Sequence, residues 1–75
     1  MTFEELMRLE DELEIYHLAK LIECCDKVED KPAKAEKQKA MHLKTLSMRL
    51  DRHRSFHGQE RNEWLLQRLL KHALR

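Results

Sequence analysis

Hydrophobic and polar positions recur along the chain at the three-to-four-residue spacing of amphipathic helices, in three segments separated by two breaks. Thr2 followed by Glu5 has the form of a capping box, with Met1 and Leu6 placed as its hydrophobic staple. The pattern predicts a first helix over about residues 3–29. Asp30-Lys31-Pro32-Ala33 stops it, because proline disfavours helical geometry in the residue before it and fits the first turn of a new helix. A second helix is predicted over about 32–56 and a third over about 59–74, separated by Phe56-His57-Gly58. One long rod through Gly58 is the competing arrangement, since a single helical glycine costs only about 1 kcal/mol relative to alanine. Ser55 and Gly58 form a loop signature, however, and only a turn lets the chain fold back to bury Trp64 and the leucine pairs.

At 100° per residue the apolar face of the first helix divides in two. Leu6, Leu9, Leu13 and Tyr16 share one side; Ile15, Leu18, Leu21, Ile22, Cys25 and Val28 occupy another. Arg8, Glu12, Glu23, Asp26 and Asp30 form a narrow polar strip, read as solvated. A rotated face does not suit a two-helix coiled coil with one seam, and implies a bundle of three or more helices within or between chains. The second helix carries Leu43, Leu46 and Leu50, and the third carries Leu65, Leu66, Leu69, Leu70 and Ala73. The expected core is Leu13, Leu18, Ile22, Leu46, Leu50, Leu66 and Leu69. Glu12, Asp26 and Lys34 are expected to tolerate substitution.

Composition narrows the class to all-α. The chain is 41% hydrophobic and 39% charged, with one glycine and one proline, and its aliphatic β-branched residues are only Ile15, Ile22 and Val28, so a sheet has no raw material. The expected architecture is a small antiparallel three-helix bundle, or a helical hairpin plus a third helix, within one domain of residues 1–75. Seventy-five residues are few for a self-sufficient core, which makes a homodimer the expected assembly. The acidic, periodic start of the chain does not read as a secretory signal, and no apolar run is long enough for a membrane span, so a cytoplasmic protein without membrane contact is expected. Cys24 and Cys25 are adjacent, a poor geometry for a mutual disulfide on a helix, and are expected as free thiols.

The formal net charge of +1 hides a division: residues 1–30 hold ten acids and three bases, and residues 31–75 four acids and twelve bases. The simplest consequence is that the acidic helix lies against the basic ones, with edge charges choosing the pairing. The competing one is a nucleic-acid surface, for which Lys34, Lys37, Lys44 and Arg52 share one sector of the second helix. Base stacking has little equipment, since Tyr16, Phe56 and Trp64 lie far apart and no zinc-finger or basic-zipper spacing occurs.

Candidate chemistry is thin. His53 and His57, four apart, share a helix face and could hold one metal ion with Cys24, Cys25 or His42, but nothing accompanies this common spacing. Their ordinary role would be to border the leucine stripe and help close the second helix. No nucleophile–base order, phosphate loop or paired apolar carboxylates point to catalysis, and no cofactor is implied. The residues that stand out are Met41 and Met48, one heptad apart opposite the leucine stripe and flanked by Lys37, Lys44 and Arg52. Flexible thioethers rimmed by cations suit an adaptable protein contact. The expected function is therefore a non-catalytic helical interaction module that binds and regulates or adapts another protein. A nucleic-acid regulator using residues 31–75 is the alternative, and a metal- or thiol-based sensor comes third.

Overall fold

The structure is a computed structural model and describes residues 1–29 and 32–72. Three α-helices follow in order, α1 (Phe3–Asp26), α2 (Pro32–His57) and α3 (Gln59–His72). The Thr2 hydroxyl caps α1 by accepting from the Glu5 N–H at 3.2 Å, while Met1 and Leu6 both remain exposed, so the staple contributes little. α1 ends at Asp26, short of residue 29, and the N–H groups of Lys27 and Val28 reach back to the carbonyls of Cys24 and Cys25 in a tightened last turn. The last turn offers no cation to the negative helix end and instead contains Glu23 and Asp26, which favours early termination.

Gly58 separates α2 from α3. Its φ is +95°, in the left-handed region that favours glycine. The Gly58 N–H donates to the Arg54 carbonyl (3.0 Å) and its carbonyl accepts from the Asn62 N–H (3.1 Å), so one residue closes α2 and opens α3. Of the two arrangements the sequence allows, the chain takes the turn. The predicted end of α3 at residues 73–74, the stripe position Ala73 and the strip position Asp30 lie outside the described residues.

α1 and α2 form an antiparallel hairpin. α3 returns along its base, with Arg61 meeting Glu12 near one end and the Lys20 ammonium donating to the His72 carbonyl (3.2 Å) at the other. Its described part covers α1 from about Glu12 to Lys20, and packs less extensively on the hairpin than α1 and α2 do on each other. The molecule measures 45 × 20 × 20 Å. Its 13.5 Å radius of gyration exceeds the roughly 11 Å of a compact chain of this length.

The core comprises Ile15, Ala19 and Ile22 of α1, Leu46 of α2, and Leu65 and Leu69 of α3, with Tyr16, Leu18 and Leu50 packed at its margin. Of the expected core, Ile22, Leu46 and Leu69 are buried, Leu18, Leu50 and Leu66 are half-buried, and Leu13 is 59% exposed. Leu13 is thus a surface residue: the core selects the Ile15/Ile22 sector and leaves Leu6, Leu9 and Leu13 outside. Leu43, Leu70 and Val28 also lie exposed, and Trp64 is 41% exposed rather than buried.

The polar strip requires the opposite correction. Glu12, expected on the solvated face, is buried, and Asp26 pairs with Lys39 of α2. These residues point toward the neighbouring helices, so tolerance to substitution does not extend to Glu12.

Candidate functional site

At the base of the bundle a polar cluster joins all three helices. Glu12 on α1, His53 on α2 and Asn62 on α3 are buried, with His53 only 1% exposed. His53 continues the stripe of Leu46 and Leu50 by helical spacing, which carries its ring into the interior instead of to the end of α2. Its Nε2 lies 2.9 Å from the Glu12 carboxylate and its Nδ1 3.3 Å from the Asn62 amide nitrogen. One tautomer satisfies both contacts: Nε2–H donates to Glu12, and Nδ1 accepts from Asn62. The Asn62 amide also donates to the Leu50 carbonyl at 3.0 Å. The Arg61 guanidinium grips Glu12 through Nε (2.8 Å) and Nη2 (2.9 Å), a bidentate pair, and lies over the Trp64 ring at 3.7 Å.

A second pair lies alongside. His57 Nε2 is 2.9 Å from Asp11, to which Arg52 also donates at 3.2 Å, so His57 serves a cross-helix contact rather than the carbonyls at the end of α2. Burial pushes the Glu12 carboxyl upward, but the hydrogen bonds from Arg61 and His53 and their charges outweigh it, holding it below the usual glutamate range. Asp11 is likewise lowered, with burial opposed by His57 and Arg52. Glu12 in turn raises Arg61.

The polar atoms of this cluster are partnered with one another. Both ring nitrogens of His53 are engaged, and no buried side-chain N or O among the described residues lacks a partner. The His53 and His57 ring centroids are 4.8 Å apart, but each ring meets a carboxylate. Cys24 and Cys25, at the far end of α1, are free thiols, and among the described residues no group of three His, Cys, Asp or Glu side chains is placed to hold a metal ion. The sequence signal that leads to the cluster is the register of His53: a histidine in line with core leucines needs a buried partner.

The residues selected from the sequence as a contact surface lie elsewhere. Met41 and Met48 are 62% and 64% exposed on the outer face of α2, and Lys37 and Lys44 are exposed beside them. Arg52 is drawn off toward Asp11 on α1. The first apolar sector of α1 forms a second surface, where Leu9, Leu13 and Tyr16 with Trp64, Leu65 and Arg68 of α3 line an open groove of about 390 Å³. A broader cleft of about 1000 Å³ opens where α1 begins and α2 ends, lined by Met7, Arg8, Asp11, Arg52 and Phe56 among others.

Fold and surface together define a small all-α protein of three helices, with a polar clasp at its base and apolar side chains exposed on two faces. No described helix is long and apolar enough to cross a membrane. Comparison of the chain with protein-family models, curated proteins and solved structures found no match.

Proposed function

We propose that this chain is a non-catalytic helical interaction module that binds another protein through the outer face of α2. The observation that carries this reading is the exposure of Met41 and Met48 on the side of α2 opposite Leu46 and His53. A helix already committed to its own bundle through one face has no internal use for two large apolar side chains on the other. Burying both against a partner would contribute on the order of 3 kcal/mol. Lys37 and Lys44 would favour a partner helix with acidic flanks and raise its association rate, mainly at low salt.

Charge commitment favours protein over nucleic acid as the partner. Lys39, Arg49, Arg52 and Arg61 all meet carboxylates of α1, so much of the basic surplus of residues 31–75 is spent within the fold. Of the sector formed by Lys34, Lys37, Lys44 and Arg52, only the three lysines remain outward, which is sparse for phosphate contacts. The test compares the native chain with Met41→Glu/Met48→Glu and with Lys37→Glu/Lys44→Glu, in capture of host proteins and in a salt series with duplex DNA and RNA. Loss of protein capture in the methionine pair, with helicity intact, is the expected result. A neutral methionine pair, together with nucleic-acid binding that the lysine pair abolishes and that falls steeply with salt, would replace this reading with the nucleic-acid one.

A further inference from the structure

The second apolar face points to a different occupant. Leu6, Leu9 and Leu13 lie largely exposed along one side of α1, and the groove beyond them is walled by Tyr16 and Trp64. Leu6 to Tyr16 spans about 15 Å of helix, or three turns. We propose that this face closes on a second copy of the chain, forming a dimer whose two-fold axis runs along α1 so that the two α1 helices lie parallel.

The area agrees with that occupant. The accessible surface is 5939 Å², whereas a compact monomer of this mass exposes about 4900 Å². The excess, about 1000 Å², is a whole-molecule figure to which the outer face of α2 also contributes, and it leaves room for an interface of the roughly 800 Å² per partner that standard complexes cover. The apolar positions on this side supply the dry centre that such an interface needs.

The charges select the direction of the axis. On one bank of the stripe stands α3, with Arg68 over the Trp64 ring at 5.1 Å. On the other bank stand Glu10, which has no ion-pair partner among the described residues, and Glu14, which meets Arg49 at 2.8 Å. An axis along α1 sets the glutamate bank of each copy against the Arg68 bank of the other. An axis perpendicular to α1 would instead set the Glu10 bank of one copy against the Glu10 bank of the other and the Arg68 bank against the Arg68 bank, which is repulsive. The contact is isologous, so it closes at two copies and leaves the outer face of α2 free.

Sedimentation equilibrium at micromolar concentration tests the proposal. The native chain is expected at twice its 9.1 kDa mass, and Leu13→Glu, at a position already exposed in the monomer, is expected to remain helical while its dimer Kd rises about 100-fold or more. Met41→Glu/Met48→Glu is expected to leave the dimer intact. Leu6→Cys, in a chain with Cys24→Ser and Cys25→Ser, is expected to form a symmetric disulfide on oxidation, because only the parallel arrangement brings the two Leu6 positions together. A native monomer, a Leu13→Glu chain that stays dimeric, or dissociation by the methionine pair would overturn the surface. A dimer that does not cross-link through residue 6 would overturn the axis.

Discussion

Glu12 is where a single side chain decides the most. It is the common acceptor for His53 and Arg61, so one carboxylate ties α1 to both other helices. Removing it leaves a buried imidazole and a guanidinium without their acceptor, and Glu12→Ala is expected to cost about 3 kcal/mol or more, a large share of the stability of so small a chain. Chemical denaturation monitored by circular dichroism checks this. The pH dependence has a definite sign: because the folded Glu12 and Asp11 carboxyls lie below their usual ranges, their contribution is fully present above about pH 5 and is lost as pH falls through their folded values. Stability measured from pH 7 downward is therefore expected to fall on the acid side, and Glu12→Gln is expected to flatten that fall. At this scale the sequence was least legible. Leucine is ordinarily read inward and glutamate outward, yet Leu13 is a surface residue while Glu12, 7% exposed, is interior. The inversion is intelligible only once His53 and Arg61 are seen to meet Glu12, and both lie more than forty residues away in the chain.

The helices themselves were far more legible, because their ends are set by local chemistry. Thr2 caps the start of α1 through its own hydroxyl, α2 begins at Pro32, and Gly58 ends it. A left-handed residue strains any side chain, even though a Cβ at Gly58 would meet nothing within 4 Å. Gly58→Ala is therefore expected to cost about 1 to 2 kcal/mol through backbone strain alone. Equilibrium unfolding measures that loss; an unchanged or raised stability would mean that α2 and α3 tolerate a continuous connection. Which face each helix turns inward was only partly legible. Along α2, Leu46 and His53 give the inward direction, and Met41 and Met48 fall opposite, as the spacing implies. Along α1 two apolar sectors compete, and Ile15 and Ile22 prevail over Leu9 and Leu13 because Ala19, on the same side, lets the neighbouring helices approach closely.

At the scale of the whole molecule, burial along α2 is concentrated in its second half. No residue from 33 to 45 is buried; Leu46 is the first buried position among the described side chains of α2, and His53 follows it. The described part of α3 reaches Lys20, and among the described residues the hairpin beyond that level is held by Ile22 and the Asp26–Lys39 ion pair. Exposed or partly exposed ion pairs contribute little, on the order of 1 kcal/mol or less, and cannot replace buried packing. Local opening should therefore start in the first half of α2, where no described side chain is buried, and spread to the base only with global unfolding. Amide hydrogen exchange provides the measurement: amides of residues 36–43 are expected to exchange well before those of residues 46–54, whose helix is held by Leu46, Leu50 and the Glu12–His53–Asn62 contacts. Equal protection along α2 would mean that its first half is covered as well as its second. A partner seated on Met41 is one way to produce that cover, so the same measurement repeated with a bound partner should show protection rising first around residues 37–48.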